Sequence, residues 1–550
     1  MRAFYIFWVC IFVGVGAYGH DGGHDRPGPQ PEALLLSRTD VPIGFPLREV
    51  VLRLVDEATG AALDGLIRVR DGRGKLVGVP KLLSRTAGLS ERSMGPAAFS
   101  HMDSWSVLSG VQVLSLPKEP LMVEAFNGLE WAVASAELAP STTSLSIPLK
   151  RIYNREEAGY VSGNVHLHLQ RMSPRAAEQY ATEVARADGC DVVFLSYLER
   201  TGADENYTSN RFTREDLARF SSESGVLFGW GEEYRHNFPK QPGYGHVMFL
   251  DIQDLVLPAS FGADIMKVGN DDGVLRTGIE VARAQGATTL WCHNTRGLED
   301  IPSWLHGIID GHTIFDEGST GSYAAGPYRY LNVGLKVPFA TGTDWFIKDM
   351  AMTYVAVDGP VSTKSWLAAL RDGKSFISNG PLLSLTVDGH GLGETIGLTE
   401  SGTVAVKGRV VGRDDFGLVE VVVNGDVVAE VNVVSRDGFY EAVIEEAIAI
   451  EEAGWVALRV PFHGGSYDKP GALSTGFNAY GKPLFGHTSP VYITMNGERA
   501  FKADAAKSLI AELEASKVLI REVGEYTNDG ERAKVLALYD EAIGVLTKRD

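Results

Sequence analysis

The sequence predicts a multidomain chain of α/β plus β class. Three observations carry that reading. At 550 residues the chain exceeds one ordinary hydrophobic core, so three or four domains are expected. Over about 158–385, short apolar strands alternate with helix-like stretches, the pattern of parallel sheets. Strand-rich stretches flank that segment on both sides, and a helical tail closes the chain.

In order along the chain, residues 1–19 read as a signal peptide. Arg2 precedes an apolar run from Ala3 to Tyr18, which is too short to span a bilayer comfortably. Ala17 and Gly19 supply small residues at the −3 and −1 positions of a cut after Gly19. Cys10 lies inside the apolar run, so no lipoprotein cysteine follows the cut. A secreted or periplasmic location is expected, with no later membrane span. Residues 20–44 read as a linker. It opens on His20-Asp21-Gly22-Gly23-His24-Asp25, a polar leader, and is Pro-rich from Arg26 to Pro31.

Residues 45–152 predict a β-sandwich, with alternating strands split at Ala58-Thr59-Gly60 and Asp71-Gly72-Arg73-Gly74. Over 158–385, Asp191–Leu198 is followed by a helix at Thr213–Ser224, and similar pairs recur twice. That length suits a barrel of β/α units, whose chemistry sits at the C-terminal strand ends. Residues 386–500 predict a second β-sandwich, with Asn424-Gly425 as a hairpin turn. From 503 to 550, Leu509, Leu513, Ile520 and Val523 recur at helical spacing, and Asn528-Asp529-Gly530 interrupts. A helical hairpin docked on the body is expected.

The net charge of −19 argues against binding nucleic acid phosphates or an anionic membrane. Beyond the predicted cut only Cys190 and Cys292 remain, both in apolar strand contexts, so burial is expected rather than a disulfide. Alternation places Cys292 on the face opposite to His293, so it is not counted as a ligand.

Six side chains suggest chemistry. They are His166 and His168 in "GNVHLHLQ", Glu233 in "WGEEY", His246 in "YGHVMF", His293 in "LWCHN" and Asp344 in "TGTDW". Each lies by a short apolar run. Residues i and i+2 of a strand share a face, so both rings of the His-x-His pair can grip one ion. Imidazoles with carboxylates and no thiolate suit zinc, manganese or iron. Alternation lets only one of Glu232 and Glu233 face the ions. No GxSxG elbow is present, so a metal-activated water is the expected nucleophile. Arg296 could steady an oxyanion, and His312 could protonate a leaving group.

The strings "GNVHLHL", "GEEYR…GYGHVMFL", "YRYLNVGLKVPFATGTD" and "WLAALRDGKSFISNGPLLSLTVDG" resemble the PHP (polymerase and histidinol phosphatase) metallohydrolase superfamily, and most closely its carbaryl-hydrolase-like CehA/McbA branch. The resemblance runs from about 160 to 395. It implies a distorted (β/α)7 barrel and hydrolysis of phosphate, ester, carbamate or related bonds. Its Gly-x-Glu pattern places the ligand at Glu233. Where three-metal members carry Asp-His, this chain has Tyr197 and Leu198, and their final Asp-x-His reads Asp344-Trp345-Phe346 here. The resemblance therefore implies at most two divalent ions. One would take His166, His168, Glu233 and Asp344; the other would share Glu233 with His246 and His293. Leu198 and Phe346 are expected to pack beside the ions. Ester, carbamate or amide hydrolysis is the favoured expectation, with a phosphoesterase or a non-catalytic, metal-stabilised binding or adhesion protein as alternatives.

Overall fold

The computed structural model describes residues 46–90, 96–200, 207–238, 241–262, 269–293, 297–316, 322–461 and 476–548. The expected signal peptide, the expected linker and Arg296 lie outside them.

The N-terminal part is two sheets around one core. Leu47–Asp56 alternates exposed and buried residues over its first eight positions, the mark of a strand with one face inward. It pairs with Ser144–Leu149 and Gln112–Pro117. In the second sheet Gly65–Asp71 pairs with Leu121–Phe126 and Ser106–Leu108. Val50, Leu52 and Leu54 of the first sheet meet Ile67, Val69 and Val123 of the second.

The α/β part starts at strand β1 (Tyr160–His168), which is parallel to β2 (Val192–Tyr197), itself parallel to β3 (Leu227–Phe238). The connections are helical. Ser173 caps the helix Pro174–Ala187 by accepting from the Ala176 amide. Thr213 and Asp216 form a capping box at the start of Arg214–Ser224. Parallel pairing then breaks, against expectation. β4 (Gln241–Leu250) is antiparallel to β3 and to β5 (Thr288–Cys292). The reason is local. Two residues separate β3 from β4, and a parallel return needs a crossover of about a dozen or more. β5 is parallel to β6 (Gly311–Thr313), and β6 to β7 (Phe339–Ala340). Three residues after β7, β8 (Asp344–Trp345) pairs in parallel with β1. The ladder of strands thus returns to the strand it started from.

The C-terminal strands are not a separate sheet. β9 (Met352–Ala356) pairs with β10 (Ser375–Ser378), and β10 with Gly486–Thr488, so hydrogen bonding crosses the boundary expected at 385. Asn424 and Gly425, with φ of 53° and 97°, turn Leu418–Val423 into Asp426–Asn432. A second layer is formed by Leu382–Val387, Gly402–Gly412 and Phe439–Ile450. The tail is two helices, Ala503–Val523 and Asp529–Thr547, the second capped by Asn528. Leu509, Leu513, Val535 and Tyr539 share a core with Ile301, Trp304 and Trp455, which docks the hairpin on the body. No described helix is long and apolar enough to cross a membrane.

One buried cluster joins all three parts. The Arg85 guanidinium meets Asp188 Oδ2 at 2.5 Å and Tyr480 Oη at 2.9 Å, and donates to the Ile347 carbonyl. Tyr480 Oη donates to Asp188 Oδ1 at 2.8 Å. Arg85 and Asp188 are fully buried. Removing one member of such a pair strands the other charge away from water. Asp188→Ala is expected to cost about 3–5 kcal/mol in denaturant unfolding. A loss below about 1 kcal/mol, the range of a surface pair, would refute the clamp.

Candidate metal centre

The expected ligands converge. β1 presents His166 and His168 on one face, their Nε2 atoms 3.0 Å apart. Asp344 reaches them because β8 lies beside β1 in register, Leu167 opposite Asp344. Gly342 permits that approach: a Cβ there would stand 2.8 Å from the His166 amide nitrogen. Asp344 Oδ1 lies 3.3 Å from His166 Nε2 and 3.6 Å from His168 Nε2. Glu233 Oε2, from β3, lies 3.1 Å from His168 Nε2 and 3.9 Å from His166 Nε2. Donors at about 2.1 Å from a tetrahedral ion stand about 3.4 Å apart, and these spacings scatter around that value. Glu233 Oε1 points the other way, 2.9 Å from His246 Nδ1 and 3.7 Å from His293 Nε2. Three donor sets result: His166–His168–Glu233–Asp344 and Glu233–His246–His293, with Glu233 in both, and His166–Cys292–His293. Glu232 faces away and accepts from the Val256 amide at 2.8 Å.

The outer nitrogen of every imidazole is held. Asp316 takes two of them, His166 Nδ1 at 2.8 Å and His293 Nδ1 at 2.5 Å. The Ser196 carbonyl takes His168 Nδ1 at 3.0 Å, and Asn237 Oδ1 takes His246 Nε2 at 2.9 Å. A carboxylate or carbonyl can only accept, so the proton sits on the outer nitrogen and the inner one offers its lone pair. The electrostatics favour positive charge among these groups. Burial opposes charge on His166, but Asp344, Asp316 and Glu233 outweigh it and push the imidazole up to about 10. Burial likewise opposes charge on Glu233, yet Arg235, His166, His168 and His246 hold it well below the usual carboxylate range. Burial keeps His168 and His246 below the ordinary imidazole value. The chemistry of these donors fits a metal ion.

Several expectations need correction. Cys292 is not turned away: its sulfur lies within 4.8 Å of donor nitrogens of His166 and His293. β5 ends at Cys292, so strict alternation does not carry through to His293. Burial, then Glu233, Asp316 and Asp344, push the Cys292 thiol well up. His312 is not among the convergent donors. It lies on β6, its ring 6.2 Å from that of Trp304 and within hydrogen-bonding reach of the His293 backbone. Burial holds it below the ordinary imidazole value. Phe346 turns from the centre and packs on Tyr180 and over Gly88. Leu198 is buried with its backbone tied to Asn210. The aromatic wall is instead Trp345, 5.1 Å from the His168 ring and 5.5 Å from Tyr207.

Sequence reasoning also missed Asp316. It stands alone after "TIF", with no spacing to tie it to His166 or His293, and the acidic residue at the end of an apolar run is its one signal. Asp316→Ala is expected to lower metal affinity by about 10–100-fold although Asp316 touches no ion. Competition against a chromophoric chelator reads this, and unchanged affinity would remove Asp316 from the centre.

Comparisons with family models, with curated proteins and with solved structures found no match.

Proposed function

We propose that the chain is a secreted metal-dependent hydrolase of PHP type, acting on an ester, carbamate or amide bond. The observation that carries the reading is the pair of donor sets sharing Glu233, with all four outer imidazole nitrogens held. In this reading the returning ladder of strands is a distorted (β/α)7 barrel, and the first 19 residues are its export signal.

Each residue has a task. Bound divalent ions, zinc, manganese or iron, would lower the pKa of a water and polarise the scissile oxygen. His166, His168 and Asp344 would hold one ion, His246 and His293 the other, and Glu233 both. Asp316 fixes the two imidazoles that face each other across the site, so the ligands need no reorganisation on loading. Trp345 and Tyr207 cover the His168 side and exclude water there. His312 would act through the His293 backbone, as a positioning residue.

Two measurements test the reading. Metal analysis of protein purified without chelator is expected to give one or two equivalents per chain, since Leu198 and Phe346 offer no lone pair for a third. Three equivalents that survive dialysis would overturn the ligand assignment. Chromogenic carboxyl esters and phosphoesters, assayed with and without chelator, separate the classes: ester turnover lost on chelation is expected. Phosphoester turnover alone would make the chain a phosphoesterase, and no turnover with metal bound would make it a binding protein. His168→Ala is expected to abolish the metal-dependent rate and leave the far-ultraviolet circular dichroism of the β-rich parts unchanged. Global loss of structure in that variant would count against a separable site.

A further inference from the structure

Beside the centre stands a cation that holds no metal. Arg235 lies on β3 two residues past Glu233, on the same face of the strand. It is 2% exposed. Its Nε donates to Ser260 Oγ at 3.1 Å and its Nη2 to the Glu199 carbonyl at 3.3 Å. Both acceptors are neutral. Its Nη1 lies 3.9 Å from Glu233 Oε1, too far for a hydrogen bond, and among the described residues it has no nearer acceptor. Glu233 Oε1 is the oxygen facing His246 and His293, so the free edge of the guanidinium looks onto the second donor set.

A buried guanidinium without a close anion is costly unless something supplies one. Glu233 does so only partly, and less once it is shared between two ions. Two divalent ions bring four positive charges against Glu233, Asp344 and Asp316, so the loaded centre with Arg235 carries net positive charge. Its complement is a negatively charged oxygen. The Arg235 side chain is pinned at Nε and Nη2, which leaves Nη1 aimed and preorganised. Tyr207, within the field of both Arg235 and Glu233 and hydrogen-bonded to Arg200, forms the neighbouring wall.

We infer that Arg235 is the anion-binding residue of this centre, its Nη1 donating to a negatively charged carboxylate or phosphate oxygen of a molecule bound over the Glu233–His246–His293 position. The inference rests on the metal-hydrolase reading and adds the chemistry of what the site accepts. Calorimetry on the full-length, metal-loaded protein tests it, with inorganic phosphate and acetate as separate probes and metal content measured on the same samples. The wild type is expected to bind at least one anion, and the tighter of the two names the source group. Arg235→Met is expected to weaken that binding by about tenfold or more at unchanged metal content, and Arg235→Lys to recover part of it. If Arg235→Met does not fold, Arg235→Lys carries the test, because it keeps the charge but loses the fixed fork. Unchanged anion affinity in the folded variant overturns the assignment and leaves the metal centre standing. So does a wild type that loads metal but binds neither anion. Loss of the second ion in both variants also overturns it, since Arg235 would then serve only to hold Glu233. A wild type that takes up no metal overturns the hydrolase reading itself.

Discussion

The burial of Glu233, Asp316 and Asp344 among four imidazoles is the constraint on which the rest depends. None of the three carboxylates is more than 2% exposed. A carboxylate out of water must find donors or cations, and here the histidines supply them. The mutual spacing of the seven side chains is therefore fixed by charge, and the backbone must deliver each to its place. A displaced carboxylate would leave both itself and its imidazoles uncompensated.

The backbone delivers them with some strain. Phe315, Asp344 and Phe346 have φ of 56°, 55° and 60°, in the left-handed region that costs a bulky residue most. They flank or include two of the three carboxylates. The strained turn at 344–346 sends Asp344 inward, Phe346 onto Tyr180, and Trp345 over His168. It is held by the Phe346 amide donating to the His168 carbonyl at 2.9 Å and by Arg85 on the Ile347 carbonyl. The N-terminal β part thus braces the turn that carries Asp344.

The helical hairpin braces the opposite side. Tyr526, in its connector, meets Tyr244 Oη at 3.0 Å. The Glu525 carbonyl and amide both bond Asp271, whose carboxylate holds His236 Nε2 at 2.8 Å. His236 and Tyr244 sit on β3 and β4, three residues from Glu233 and two from His246. The strands that present the second donor set are thus tied to the chain's C-terminal helices.

Local periodicity alone made part of this legible. A two-residue spacing on one apolar strand put His166 and His168 on a shared face, and Asn424-Gly425 marked a turn through its own backbone preference, while Asn528-Asp529-Gly530 marked only the break between the tail helices. What depends on contacts between distant segments was not legible. The antiparallel β3–β4 pair, the sheet that runs through the boundary expected at 385, the Asp316 bridge, the inward Cys292 and the place of Arg235 beside Glu233 are all set by which strands become neighbours. Phe346 and Trp345 show the reason most plainly. Either could have faced the centre, and a positive φ, imposed by packing against β1 and the N-terminal part, decided that Trp345 would. Side-chain identity determined what chemistry was possible, and tertiary packing determined which atoms met, because only packing can hold buried charges and a strained turn at fixed distances.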